Sequence, residues 1–288
     1  MIVCIGSINV DFIFAAGRWP AEHEKHLADN YVCATGGAAA NTACELSRLG
    51  RKVTMVGGIG NDDLGEIALN GLIAAGVNVD HVIKRSAWKT GCAAIRSMGK
   101  SKSILTAGVV DVSVILDSLK TLSVQQDDHL HFSWVPSNEM HNQLQYWRHM
   151  GISLSWETDG QMNMPTAELF DIIFMNEVEL KMYEQEGIVT DAWIRSLTHD
   201  LTVVVTLGDA GAETYFKGQR FFCKAQQVNV VDRTGGGDAF DAGFLDAWLR
   251  RCALDACLKR GLESAAIILG QSGPQYRSNA DYVGQARK

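Results

Sequence analysis

The sequence predicts an α/β fold: a mostly parallel sheet with helices packed on both faces. Three observations predict it. Short apolar runs alternate with helix-like amphipathic runs along most of the 288 residues. The helix-like runs end in glycine, the usual stop before a following strand. Two segments, residues 13–33 and 88–107, break this rhythm and read as strands without helices.

Each element follows from its own residues. IVCIGSI, at 2–8, is an apolar run ending in a polar turn, which gives a first strand. AAANTACELSRLG, at 38–50, has helical spacing and closes on Gly50. KVTMVGGIG, at 52–60, reads as a strand. DDLGEIALNGLIAAG, at 62–76, opens on acids and closes on glycine, as the helix dipole and C-cap chemistry favour. The alternation resumes with strand DHLHFS, helix NEMHNQLQYWRHMG and strand ISLSWE. It continues with strand DIIFMN, helix EVELKMYEQEG and strand TVVVTLG. Two long helices, at about 237–251 and 254–270, close the pattern. The out-of-rhythm segments, IFAAGRWPAEHEKHLADNYVC and WKTGCAAIRSMGKSKSILTAG, read as a small accessory sheet that acts as a lid. The second is a hairpin around GKSK.

Composition narrows the function. The chain is 47% hydrophobic and 20% charged, ordinary for a globular protein. A net charge of −7 argues against a general nucleic-acid partner. The seven cysteines stand at 4, 33, 44, 92, 223, 252 and 257, with no CxxC, and read as buried free thiols in a reducing compartment. MIVCIGSINVD lacks a basic leader region and a cleavage site, and no apolar run reaches the roughly 18 residues of a membrane span. A cytoplasmic protein without a membrane partner is expected.

Two tempting motifs fail. Gly99-Lys100-Ser101 resembles the end of a P-loop, but Ala94 stands where that motif needs glycine, and no helix follows. GGIGNDDLG lacks the dinucleotide spacing and ends on acids. His129 and His131 share one face of a strand, but without a third ligand in view they do not make a metal site.

DRTGGGDAF, at 232–240, is more specific. Gly235, Gly236 and Gly237 open a helix, where free N–H groups and the dipole bind anions. Asp238 would oppose an anion there, unless it takes a proton from a hydroxyl that attacks the anion. A glycine turn with an N-terminal acidic cap is the other reading these four residues allow.

A second stretch, GGAAANTACELSRLGRKVTMVGGIG at 36–60, lies about 200 residues earlier. Gly36-Gly37 opens its helix, Asn41 sits in the first turn, and Gly50 and Gly60 follow. Together the two stretches resemble the signatures of the ribokinase-like carbohydrate kinases, the PfkB family, over essentially the whole chain. The resemblance implies a three-layer α/β/α fold with a mostly parallel central sheet and a small β lid over the substrate site. The core is then 1–12, 34–87 and 108–288, and the lid is 13–33 and 88–107.

The resemblance implies roles as well. Asn9 and Asp11, ending the first strand, together with Gly36, Gly37 and Asn41, match the sugar-binding positions. Asn176 and Glu179 match the N-x-x-E motif that organises Mg²⁺ and phosphate, largely through water. Thr206, Gly208 and Gly211 match a nucleotide-binding turn. Gly235, Gly236 and Gly237 match the anion hole, and Asp238 the catalytic base. Asp232 and Thr234 match positions that hold a monovalent cation such as K⁺. ATP is the implied phosphoryl donor, a sugar the implied acceptor, and a homodimer through the lid the implied assembly.

Bland readings stay open beside these roles. Asn176 with Glu179 also spells a helix capping box, and Asp232 also suits a structural acid paired with Arg233. Arg233 replaces the usual small residue and has three readings: pairing with Asp232, reaching a phosphate, or facing solvent. Gln271 stands where relatives carry arginine, and WETDG replaces Asp-Pro-Asn. A nucleoside kinase is the enzymatic alternative, with Trp134, Trp156, Phe14 and Trp19 as an aromatic wall if they are not core. A noncatalytic sugar or nucleotide sensor on the same fold is the other.

Overall fold

The structure is a computed structural model that describes residues 1–98, 101–109, 115, 118–119, 122–134, 140–160, 162, 164–189, 193–194 and 200–275. A nine-stranded sheet runs in the order β13-β12-β11-β10-β9-β8-β1-β4-β5. Its strands are β1 (Ile2–Gly6), β4 (Val53–Gly60), β5 (Asn78–Arg85), β8 (His129–Ser133), β9 (Ser153–Glu157), β10 (Ile172–Asn176), β11 (Thr202–Thr206), β12 (Gly211–Phe216) and β13 (Gln219–Lys224). Every pairing is parallel except β11 with β12 and β12 with β13. Strand β5 and the antiparallel β12–β13 edge carry no helix-strand rhythm and are additions to the sequence reading.

The strands read as continuous apolar runs because both faces are covered. Ile2 and Cys4, with Ile172 and Phe174, face helices α1 (Ala38–Arg48), α2 (Asp63–Ala74), α5 (Gly236–Leu249) and α6 (Leu254–Leu269). The alternate residues Val3, Ile5, Ile173 and Met175 face the other layer, where α3 (His141–His149) and α4 (Glu177–Gln185) pack. No helix among the described residues is long and apolar enough to cross a membrane.

A second sheet of four strands runs β3-β2-β6-β7. Its members are β2 (Asn9–Ala15), β3 (Asn30–Gly36), β6 (Lys89–Met98) and β7 (Ser101–Val109). It is wider than the 13–33 and 88–107 segments. Asn9 and Asp11 do not end the first strand: β1 stops at Gly6 and both residues belong to β2. The GKSK hairpin pairs Met98 with Ser101, and its tip at 99–100 lies outside the described residues.

The chain leaves β1 toward β4 on one side, and later strands build from β8 on the other. The C-terminal ends of β1 and β8 therefore flank a topological switch point, where open α/β sheets form their crevice. The small sheet, whose strand β2 follows directly on β1, stands at this end.

All seven cysteines are free. Cys4, Cys44 and Cys257 are buried as expected; Cys33, Cys92 and Cys223 are half-buried, and Cys252 is exposed.

Candidate active site

Two helix starts meet at the crevice. Helix α1 begins after Gly37, and α5 after Gly235. Asn41, in the first turn of α1, is buried and donates from Nδ2 to Asp238 Oδ2 at 2.7 Å. Thr42 Oγ1 donates to the Asp238 carbonyl at 3.4 Å. Gln275 closes the cluster, donating from Nε2 to the Thr35 carbonyl at 3.0 Å and to Asn41 Oδ1 at 3.5 Å.

Asp11 comes to the same place from β2 and is buried. A methyl group at Gly36 would lie 2.2 Å from its carboxyl carbon, so the glycine makes the room the carboxylate uses. Burial, then the charge of Asp238, raises the Asp11 carboxyl to about 7, against a pull downward from Lys102. Burial likewise raises Asp238, which the Asn41 hydrogen bond and Lys102 oppose. Asn9 lies over Gly91, where an added Cβ would meet its Oδ1 at 2.1 Å.

Gly235 adopts a left-handed φ of 77° at the helix start, and an added Cβ would meet the Pro274 carbonyl oxygen at 2.5 Å. At Gly237 an added Cβ would meet nothing within 4 Å. The space beyond is a cavity of about 500 Å³. Gly236, Gly237, Thr206, Gly208 and Gly211 all line it, and Val228, Phe240, Leu262 and Leu269 give it an apolar wall. Those five glycines and threonine are thus brought together by two separate stretches of chain.

Arg233 also lines this cavity, and its Nη2 donates to Asp209 Oδ1 at 2.9 Å. It does not pair with Asp232. That carboxylate instead accepts from Ser97 Oγ at 2.7 Å, Thr234 Oγ1 at 2.8 Å and Thr234 N at 3.0 Å, all on Oδ1, and from Gly273 N at 3.1 Å on Oδ2. A monovalent cation does not fit an oxygen that already holds three donors. Asp232 instead ties the small sheet, through Ser97, to the start of α5.

Asn176 and Glu179 form a complete capping box. Asn176 Oδ1 accepts from the N–H groups of Val178 and Glu179 at 2.9 and 3.0 Å, and Glu179 Oε2 accepts from Asn176 N at 2.8 Å. Glu179 Oε1 also accepts from Gly160 N at 2.8 Å. Each carboxylate oxygen holds one backbone donor and retains a lone pair, which fits a water-mediated hold on a cation.

Sequence reading missed several neighbours. Lys102 reaches the Asp11 and Asp238 carboxylates electrostatically from β7. Glu157 and Asp241 stand beside His131, one ligand-type atom of each within 4.8 Å of the others. They supply the third group absent from the histidine pair. Both His131 nitrogens, however, are already hydrogen-bonded to serines, so no lone pair is left for a metal. Of the aromatic wall, Trp156 is fully buried core and Trp134 packs against that core. Phe14 and Trp19 meet edge-on at 6.4 Å on the small sheet.

The raised carboxylates give a stability prediction. Asp11, Asp238, Glu157 and Asp241 all bind protons more tightly folded than unfolded. Their contribution is complete below about pH 4 and is lost as pH rises through about 7 for Asp11. The ligand-free protein should melt at a higher temperature at pH 5.5 than at pH 8, and Asp11→Asn should flatten part of that slope. A melting temperature that rises across this window would contradict the electrostatics.

The comparisons agree with this geometry. The model of the pfkB family carbohydrate kinases matches residues 1–281. Ribokinase from Haemophilus influenzae is 27% identical over 289 residues, covering 95% of this chain and 94% of its own length. Among solved structures, a nucleoside kinase from Burkholderia thailandensis in complex with inosine has a TM-score of 0.79 at 20% identity, covering 96% of this chain and 93% of its own. Ribokinase from Arabidopsis thaliana, complexed with ribose and ATP, has a TM-score of 0.72 at 23% identity, covering 94% and 93%. A match over nearly the whole length, with both glycine-opened helices meeting at one carboxylate, means that the chain belongs to the pfkB family of carbohydrate kinases.

Proposed function

We propose that the protein transfers the γ-phosphoryl group of ATP to a hydroxyl of a sugar or related small polyol. One observation carries the reading: Asp238 stands between the glycine-walled cavity and the polar group of Asp11 and Asn41. A base at that junction can take a hydroxyl proton while the oxygen attacks phosphorus.

The roles follow the geometry. Asn9, Asp11 and Asn41 bind substrate hydroxyls, with Gly36 and Gly37 clearing the backbone beside them. The N–H groups of Gly235, Gly236 and Gly237 receive the charge that develops on the transferring group. Thr206, Gly208 and Gly211 hold the nucleotide in the cavity beside the apolar wall. Mg²⁺, when bound, neutralises phosphate charge; Asn176 and Glu179 would organise it through water. The four-stranded sheet covers the sugar and brings Lys102 to the two carboxylates.

Gly36→Ala tests the substrate pocket. The new methyl must displace Asp11, and losing a charged hydrogen bond costs about 1.5–3 kcal/mol, roughly 10–100-fold in KM. The sugar KM should rise by that factor while the KM for ATP stays put. An unchanged sugar KM removes Asp11 from the pocket. The reading as a whole is tested by ADP release from ATP against a panel of pentoses, hexoses, keto-acid sugars and nucleosides. A sugar should turn over fastest; a nucleoside doing so would reassign the substrate, and no turnover with tight sugar binding would make the protein a sensor.

A further inference from the structure

One group of buried polar side chains has no part in the reaction as described, and it forms a line. His129, His131 and Ser133 alternate along β8, and Ser153, Ser155 and Glu157 alternate along β9. The register sets His129 against Ser153 and His131 against Ser155, so these side chains share one face as a two-strand ladder. On the flanking strands the same face carries Ile2, Cys4, Ile172 and Phe174. The ladder is a polar stripe through an apolar layer, and both histidines and Ser155 are fully buried.

The contacts along it are continuous. Ser153 Oγ lies 2.8 Å from His129 Nδ1, and His129 Nε2 lies 2.7 Å from Ser155 Oγ. Ser155 Oγ lies 2.8 Å from His131 Nδ1, and His131 Nε2 lies 3.2 Å from Ser133 Oγ. Ser133 in turn bonds the Glu157 carboxyl, whose charge acts on Asp238 and Asp241. At the other end, half-buried Ser153 lines a cavity of about 720 Å³ at the N-terminal edge of the sheet, with Asp171 and Asp200 on its wall.

Hydrogen bonding satisfies these groups, but it does not account for their choice. Apolar side chains at the same positions would need no partners, as on the flanking strands. The ladder instead alternates hydroxyls with imidazoles, each able to accept on one side and donate on the other. Burial pushes both imidazoles down to about 3, so each is neutral, with one N–H and one lone pair.

We propose that this ladder is a proton wire leading from the carboxylates beside Asp238 through the sheet to the cavity on its far edge. The inference rests on Asp238 being the base. The substrate hydroxyl gives its proton to Asp238, and the Glu157–Asp241 pair takes it over. Glu157 then protonates Ser133 Oγ as the Ser133 proton moves to His131 Nε2. The His131 Nδ1 proton moves to Ser155, the Ser155 proton to His129 Nε2, the His129 Nδ1 proton to Ser153, and the Ser153 proton to water in the cavity. One proton enters and one leaves; only O–H and N–H bonds change. Rotation of the hydroxyls and rings restores the starting polarity. Such a path releases the proton while the small sheet covers the substrate.

Ser155→Ala cuts the wire at its centre without touching the crevice, and Ser155→Thr restores a hydroxyl there. The readouts are proton release, followed with a pH indicator in a stopped-flow single turnover, and kcat against imidazole buffer concentration. Wild type should release its proton with phosphoryl transfer, independent of buffer. Ser155→Ala should release it about tenfold more slowly at low buffer and recover as buffer rises, with both KM values unchanged and Ser155→Thr near wild type. Proton release in Ser155→Ala at the wild-type rate, or a slowed rate that buffer does not restore, overturns the wire. Should Ser155→Ala not fold, Ser153→Ala at the half-buried end gives the same readout. Failure of wild type to transfer phosphate, or normal turnover in Asp238→Asn, would instead remove the assignment of the base.

Discussion

Replacing Asp238 with asparagine should cut kcat by about 10²–10⁴, the range for loss of a general base. The amide keeps the shape and can still meet Asn41, so the fold and the cavity should survive. Binding of ATP, measured by calorimetry, should stay within a few-fold of wild type. The pH profile of kcat should fall on the acid side in wild type, because burial raises the Asp238 carboxyl and the protonated acid cannot accept a proton. That limb should vanish in the variant's residual activity. Wild-type turnover in Asp238→Asn would mean that the proton goes elsewhere.

Gly237→Ala and Gly235→Ala should separate phosphate binding from folding. The Gly237 Cβ meets no atom within 4 Å, and alanine is better than glycine within a helix by roughly 0.5–1 kcal/mol. Gly237→Ala should therefore melt at or above the wild-type temperature. Its methyl nevertheless stands in the cavity beside the N–H groups, and turnover should drop by about 10²–10³, as when an oxyanion-hole donor is lost. Gly235→Ala should lose both activity and stability. It forces a side chain into a left-handed conformation, at about 1–2 kcal/mol, and against the Pro274 backbone. A Gly237→Ala enzyme with normal turnover would show that phosphate does not approach there.

Local chemistry made much of this legible in the sequence. IVCIG, TVVVT and the glycine-closed helices announce themselves by period and punctuation. GGAAAN and DRTGGGD are continuous stretches, so their placement at helix starts could be read directly. What was not legible depends on register and crossover. Lys102 reaches the crevice only because β7 pairs with β6 over it. Arg233 finds Asp209, 24 residues away, across the cavity rather than its neighbour Asp232. Asn176 and Glu179 spell both a capping box and a cation motif, and the same atoms satisfy the first without excluding the second. The boundary between β1 and β2 was misplaced because a kink at Ser7-Ile8 divides two sheets within one extended run. HLHFS and SLSWE carried the polar ladder in plain view, but its continuity exists only when β8 and β9 lie side by side.

The central claim is that Asp238 activates a sugar hydroxyl toward ATP. The most direct measurement is transfer of labelled γ-phosphate from ATP to each member of a sugar and nucleoside panel, run in parallel with wild type and Asp238→Asn. The account predicts a labelled sugar phosphate with wild type and almost none with the variant, although the variant binds ATP. A labelled sugar formed equally fast by both, or no labelled product from any acceptor with wild type, would contradict it.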